Sequence, residues 1–154
     1  MKAVLQRVSQ ARVEIEGEVV GQIGRGFLML VCAERGDTPR QADLLLAKVL
    51  KLRVFADEAG KMNRSLQDLD GQGARGGLLI VSQFTLAADV SGGNRPSFTA
   101  AADPETGRVL YEHLLTQAQQ LHAPVACGRF GADMQVHLVN DGPVTIPLHL
   151  PPGA

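Results

Sequence analysis

The chain has 154 residues, of which 45% are hydrophobic and 20% charged, and its formal net charge is −1. This composition is typical of one globular domain with its own core, and it excludes a disordered or fibrous protein. The near-neutral charge provides no general attraction to nucleic acid. No apolar run approaches the roughly 18 residues that cross a bilayer. The N-terminal segment alternates and does not resemble a signal peptide, so we expect a cytoplasmic protein.

The first part of the chain predicts strands. Residues 3–8 and 11–16 have strand patterns, and the second segment alternates strictly between apolar and polar residues. Gly17 provides a turn, after which residues 19–23 return as a hairpin partner. Residues 27–33 then form a continuous apolar run that predicts a buried strand.

A helix follows, because the hydrophobic period changes. Thr38 is placed as the N-cap, Pro39 takes the first helical position, and Gln41 completes a capping box. Apolar residues then repeat at helical spacing, at Ala42, Leu45, Leu46, Val49 and Leu52.

The middle of the chain is less regular. Residues 53–55 predict a short strand, and the Gly- and Arg-rich residues 63–77 predict an exposed loop. Residues 78–88 predict a strand that becomes polar midway, at Ser82 and Gln83. In such a strand Ser82, Phe84 and Leu86 would share one face, and Gln83 and Thr85 the other.

A second helix and the final strands complete the pattern. Asp103 is placed as its N-cap, with Pro104 at the first position. Further strands are predicted at residues 123–130, 134–139 and 144–150. The apolar-leaning face of the helix is predicted to consist of Val109, Leu110, Leu114, Gln117 and Leu121.

Two helices separated by several strands favour an α+β fold over a doubly wound parallel sheet. We expect a compact, largely antiparallel and curled, barrel-like sheet with two main helices packed on one side. Residues 1–150 are predicted to form one domain, and residues 151–154 a frayed tail.

Two segments carry unusual chemistry, and each has a plain structural interpretation. The polar step SQFTL, residues 82–86, is either a strand emerging from the core or the lining of a pocket. Gly142-Pro143 is either a bend in an edge strand or a bare, stiff piece of backbone that a ligand approaches. No nucleotide-binding loop or GxSxG motif is present, and the four histidines and two cysteines lack metal-ligand spacing.

One basic cluster is also visible in the sequence. It is either a local nucleic-acid-binding patch or a solvated charged face, and charge alone favours the solvated face. Its members are Lys48, Lys51, Arg53, Lys61 and Arg64.

Four stretches in order closely resemble the D-aminoacyl-tRNA deacylase family: LQRVSQARV, GKMN, VSQFTLAAD with GNRPSF, and ADMQVHLVNDGPVT. The resemblance runs from residue 1 to about 150. It implies hydrolysis of the ester that joins a D-amino acid or glycine to tRNA, with L-aminoacyl-tRNA spared. It also implies a cytoplasmic homodimer with active sites at the subunit interface. It further implies that no metal or other cofactor is needed, and we expect neither DNA nor a membrane as a partner.

The resemblance also assigns roles to residues. Gly142-Pro143 corresponds to a Gly-cis-Pro motif that enters the partner's active site and excludes L-residues, and Arg7 helps to hold that loop. Asn140 and Thr145 belong to the same motif, and Met134 lies beside the pocket. The SQFTL segment forms the other wall. There the Phe84 backbone N–H stabilises the oxyanion, with Ser82, Gln83 and Thr85 around it.

The chemistry itself is implied to come from the 2′-OH of the terminal ribose, which helps to activate water, while Thr85 lines or orders the pocket. Two alternatives remain. The first is a non-catalytic RNA-binding barrel of the same fold. The second is a serine or cysteine hydrolase that forms an acyl-enzyme on Ser82, Thr85 or Cys127.

Overall fold

The computed structural model describes all 154 residues. It contains eight strands, two α-helices and one short 3₁₀ helix. The elements are β1 (Lys2–Ile15), β2 (Glu18–Ile23), β3 (Gly26–Cys32), α1 (Pro39–Lys51), β4 (Phe55–Ala56), β5 (Met62–Arg64), β6 (Gly77–Ser82), the 3₁₀ helix (Phe84–Ala87), α2 (Pro104–Leu121), β7 (Val125–Cys127) and β8 (Gln135–His149).

The sheet is organised around the long strand β1. One side of β1 pairs with β8, and the other side pairs first with β3 and then with β2, all antiparallel. Strand β3 continues to β6 and β6 to β7, and both of these pairings are parallel. The sheet curls until β2 approaches β7. A Cβ at Gly21 would lie 2.6 Å from Cys127 O, so this near-closure requires glycine there.

This architecture confirms the predicted α+β, barrel-like single domain, with a largely antiparallel sheet that includes two parallel pairings. Strand β8 pairs only with β1 and lies outside the nearly closed barrel. Neither helix is both long enough and apolar enough to cross a membrane.

Both faces of β3 are buried, which explains its continuous apolar run. Phe27 and Met29 belong to the main core, where they join α1 and α2 residues such as Leu46 and Leu114. Leu28 points the other way, into a second core that includes Leu79. The helices therefore cover one face of the sheet, and the curled sheet encloses the other.

The predicted helix starts agree with the structure. The Thr38 N–H donates to Gln41 Oε1 at 2.7 Å, and the Thr106 N–H donates to Asp103 Oδ1 at 3.0 Å. The predicted apolar face of α2 is partly wrong, because Val109 and Leu121 are each 52% exposed. The buried stripe of α2 is instead formed by Gly107, Leu110, Tyr111, Leu114 and Ala118.

Three further expectations need correction. Residues 63–77 are not simply an exposed loop, because Leu66 is fully buried in the main core and Leu69 is 9% exposed. These two leucines anchor the connection to the core. Residues 2–15 form one continuous strand, and so do residues 135–149, where two strands on either side of Gly142-Pro143 were predicted.

Candidate active site

The SQFTL segment leaves the sheet instead of continuing along it. Strand β6 ends at Ser82, and the Gln83 N–H donates to Val31 O at 2.7 Å. The chain then turns into the 3₁₀ helix, whose first internal bond runs from the Leu86 N–H to Gln83 O. The predicted alternation of Ser82, Phe84 and Leu86 against Gln83 and Thr85 is therefore wrong.

The strand ends here because its neighbours end. Strand β3 stops at Cys32, one residue beyond the partner of Ser82, and β7 stops at Cys127, opposite Ile80. A continued strand would leave its backbone groups unpaired, whereas a 3₁₀ turn satisfies part of them locally. As a result, the N–H groups of Phe84 and Thr85 precede the first hydrogen bond of the turn.

A cavity of about 560 Å³ opens at this point. The structure brings Ser82, Gln83, Phe84, Thr85 and Met134 together in its wall. The cavity lies between the ends of β3 and β6, the helix α2 and the segment before β8. Further lining residues include Cys32, Phe98, Ala101, Tyr111, Phe130 and Asp133.

The cavity is mostly apolar and contains no apparatus for nucleophilic catalysis by a side chain. No His, Lys or Arg lines it, and Asp133 is its one acidic side chain. Gln83 Nε2 donates to Thr85 Oγ1 at 2.7 Å, which orients the hydroxyl without providing a base to deprotonate it. An acyl-enzyme on Ser82 or Thr85 would therefore have no activating histidine from the cavity of its own chain.

Two other groups in the cavity remain protonated at neutral pH. Burial, assisted by the Glu34 carboxylate, raises the pKa of the Cys32 thiol. Burial, with Cys127 nearby, likewise raises the pKa of Tyr111, whose hydroxyl lies 3.0 Å from Ile80 O and 3.2 Å from Gly128 O. Cys127 itself does not line the cavity. Cys32 and Tyr111 therefore contribute neutral groups to the cavity wall.

Phe84 is an exposed aromatic residue in the wall of the cavity. The residue is 58% exposed, and its ring meets Phe98 edge-to-face, with 5.1 Å between the ring centroids. Phe98 closes the NRPSF stretch, which by composition reads only as a turn. The cavity residues Phe98, Tyr111, Phe130 and Asp133 were not predicted from the sequence. Phe98 and Asp133 had a local signal, since they lie in the recognised stretches GNRPSF and ADMQVHLVNDGPVT.

Gly142-Pro143 lies in a bulge that protrudes from β8. Thr145 pairs with Gln6 and Asn140 pairs with Val8, so residues 141–144 have no partner in the ladder. The Gly142-Pro143 peptide is cis, as the resemblance implied, and both residues are exposed. Gly142 has a φ of +129°, in the region that disfavours side chains.

The base of the bulge is held by a dense set of hydrogen bonds. Asn140 Nδ2 donates to the backbone oxygens of Arg7 and Val144, both at 3.0 Å, and Thr145 Oγ1 donates to Asn140 Oδ1 at 3.3 Å. Arg7 Nε donates to Asp141 O at 3.2 Å, and its Nη1 donates to Val54 O at 2.6 Å. The bulge is thus clamped from both of its ends and against the start of β4.

The two motif regions do not meet within one chain. None of Arg7, Asn140, Gly142, Pro143 and Thr145 lines the cavity. Ser82 of β6 pairs with Val31 of β3, which pairs with Ala3 of β1. The bulge of β8 instead lies opposite residue 7 of β1. The paired register therefore separates them by about 13 Å along the strands and about 14 Å across three strand spacings.

Known proteins match this chain over its whole length. The sequence model of the family described as D-Tyr-tRNA(Tyr) deacylase matches residues 4–149. The chain belongs to that family. It is 72% identical to the D-aminoacyl-tRNA deacylase of Polaromonas naphthalenivorans, with all of both chains covered. The family resemblance seen in the motifs is therefore confirmed, and the family is one of hydrolases.

Solved structures agree with this fold. A structure described as c-Myc DNA Unwinding Element Binding Protein superimposes with a TM-score of 0.89 at 43% identity, covering 98% of this chain and 99% of that one. A probable eukaryotic D-amino acid tRNA deacylase superimposes with a TM-score of 0.76 at 18% identity, covering 96% and 97% of the two chains. The second match supports the fold alone.

Proposed function

We propose that this protein hydrolyses the ester bond of D-aminoacyl-tRNA, and of glycyl-tRNA, while rejecting L-aminoacyl-tRNA in the cytoplasm. The family membership and the 72% identical relative support the hydrolase activity. The observation that carries the chiral selectivity is the exposed Gly142-Pro143 bulge, clamped by Arg7 and Asn140 but remote from the cavity of its own chain.

The separation of the two motifs favours a site built by two chains. In a homodimer the bulge of one subunit can enter the cavity of the other, so that its backbone faces the α-carbon of the substrate. A D-residue or glycine presents only hydrogen to that backbone, whereas an L-residue presents its side chain. Discrimination then comes from exclusion, which a rigid wall achieves more sharply than added attraction does.

The cavity wall offers the second element of the mechanism. The Phe84 N–H is free of the 3₁₀ hydrogen bonds and lies in the wall, where it can stabilise the oxyanion formed on the ester carbonyl. Such a donor contributes about 3–4 kcal/mol in acyl-transfer enzymes. The family resemblance implies that the substrate's own 2′-OH helps to activate the attacking water, and the lining of the cavity includes no histidine that would take that role.

The first experiment measures release of amino acid from D-Tyr-tRNA, L-Tyr-tRNA and Gly-tRNA. We expect turnover of the first and third and no turnover of the second. Equal cleavage of both enantiomers would overturn the exclusion mechanism. Retardation of tRNA without release of amino acid would identify the non-catalytic RNA-binding barrel instead.

A complementation experiment tests the two-chain site. Phe84→Pro removes the backbone donor at the first position of the 3₁₀ helix, where proline is best tolerated, and Phe84→Ala is the control that keeps it. Gly142→Ala distorts the bulge. Mixing the two defective chains rebuilds one intact site in each mixed dimer, so random exchange restores about a quarter of the wild-type activity. No restoration would place both motifs in the same subunit's site.

A further inference from the structure

Four cations form a surface at the C-terminal end of α1 and the adjoining β4–β5 hairpin, which we name the α1–hairpin surface. Its members are Lys48, Lys51, Arg53 and Lys61, all exposed. Residues 48–64 contain five Lys or Arg and two acidic residues, whereas the rest of the chain contains ten and fourteen. Positive charge is therefore concentrated here, on a chain whose net charge is −1.

The acidic groups nearby are already engaged. Glu58 pairs with Arg64, and Asp43 of α1 lies 2.8 Å from His113 Nε2. Asp57 accepts from the N–H groups of Ala59 and Lys61 at 2.9 and 3.0 Å. In contrast, none of the three lysines of the surface takes part in an ion pair. The surface thus presents an excess of positive charge to solvent, since residues 48–64 contain five Lys or Arg against two carboxylates.

The shape of the surface is concave. A shallow groove of about 340 Å³ lies along the end of α1, and Lys48, Lys51 and Arg53 form half of its six lining residues. The other three are Leu44, Ala47 and Leu52. A cationic wall beside an apolar floor suits a nucleotide strand, because phosphates pair with the cations while sugars and bases cover the floor. Lysines in a last helical turn also offset the helix dipole. That role does not extend to Lys61, which lies outside the helix. The guanidinium of Arg53 donates to the backbone oxygen and to Oδ1 of Asn63, which leaves it exposed at the edge of the groove.

The position of this surface connects it to the bulge. Arg7 bonds Asp141 O in the bulge and, through Nη1, Val54 O, and Val54 directly follows Arg53. One guanidinium therefore holds the bulge beside the α1–hairpin surface. If the acyl group of a substrate lies between this bulge and the partner's cavity, its polynucleotide can leave the site along the α1–hairpin surface.

We propose that the α1–hairpin surface binds the phosphates of the acceptor end of the tRNA whose aminoacyl group occupies the partner's cavity. This inference rests on the proposed deacylase function and on the two-chain site. It adds that the subunit providing the bulge also holds the polynucleotide. Sequence alone favoured a solvated face for this cluster, and its location beside the bulge changes that interpretation.

The test neutralises three lysines whose ammonium groups make no hydrogen bond or ion pair in the structure. A triple variant, Lys48→Gln, Lys51→Gln and Lys61→Gln, is compared with a control of equal charge change, Arg40→Gln, Arg75→Gln and Arg108→Gln. Deacylation of D-Tyr-tRNA is followed between 50 and 200 mM KCl. D-tyrosyl-adenosine, which has the same ester and ribose without phosphates, is the second substrate.

Each lost phosphate contact removes about 0.7–0.9 from the slope of log affinity against log salt. Over this salt range, kcat/KM of the wild type for D-Tyr-tRNA is therefore expected to fall about 20- to 40-fold more than that of the lysine variant. Both enzymes are expected to cleave D-tyrosyl-adenosine equally well. A lysine variant that behaves like the arginine control, or that loses activity equally on both substrates, would overturn the proposal.

Failure of the proposed function is separable from failure of this inference. If the wild type cleaves neither substrate, the deacylase assignment falls. Filter binding of uncharged tRNA then tests whether the α1–hairpin surface binds phosphates, independently of hydrolysis. A weaker salt dependence in the lysine variant than in the control supports the proposal, and equal salt dependence refutes it.

Discussion

Asn140→Asp exchanges one nearly isosteric side chain for another and converts the clamp of the bulge into a repulsive contact. Asn140 Nδ2 donates to the backbone oxygens of Arg7 and Val144, both at 3.0 Å. A carboxylate has no proton to donate, so both bonds are lost and two carbonyl oxygens face a negative charge.

The expected loss of stability follows from these contacts. Two hydrogen bonds at about 0.5–1.5 kcal/mol each give about 1–3 kcal/mol, and the repulsion between the carboxylate and the carbonyl oxygens adds to it. For a chain of this size each kcal/mol lowers Tm by about 2–4 °C. Urea denaturation, with the midpoint and the slope reported separately, measures the change.

The pH dependence gives this prediction a sign. The native state favours the protonated form of the introduced Asp, which can donate again, so its folded-state pKa lies above its unfolded value. The difference in the free energy of unfolding between the variant and the wild type should therefore shrink as pH falls from 8 to 5. The matched control is Asn94→Asp, in an exposed loop where the side chain makes no hydrogen bond. If the two variants lose equal stability, or if the deficit is independent of pH, the clamp does not work as described.

Three further predictions concern separate parts of the molecule. Gly142→Ala places a Cβ 2.8 Å from Val144 Cγ2 at a φ of +129°, and should lower kcat/KM for D-Tyr-tRNA while Tm stays within a few degrees; an unchanged rate would contradict this. Burial lowers the pKa of His122, whose Nε2 donates to Gly76 O at 2.7 Å and whose Nδ1 has no partner. Its neutral form is the native one, so stability should decline as pH falls below about 6.5, and His122→Gln should remove that decline in urea titrations. Leu114→Ala empties a fully buried position between α2 and the sheet and should cost about 2–5 kcal/mol in urea denaturation; a loss below 1 kcal/mol would mean that the core collapses around the cavity.

Local features of the sequence determined the helices and the identity of the family. The caps at Thr38 and Asp103 act within four residues, so their effect does not depend on the rest of the fold. The apolar run of β3 likewise indicated a strand covered on both faces. The two motifs were recognisable as residue patterns, whatever their positions in space.

Contacts between distant segments decided the remaining features. The end of β6 at Ser82 depends on where β3 and β7 stop, and no local pattern records that. Val109 and Leu121 are exposed because the sheet meets a stripe of α2 rotated away from them.

At the functional site, too, the local sequence does not record how the bulge and the cavity are placed relative to each other. Residue patterns identified Gly142-Pro143 and SQFTL as parts of one site, but the strand register holds them far apart in a single chain. The bond from Arg7 to Val54 links residues 47 positions apart and sets the basic surface beside the bulge. Pairing and packing of remote segments therefore determine which residues share a site, while the sequence by itself determines which chemistry those residues bring.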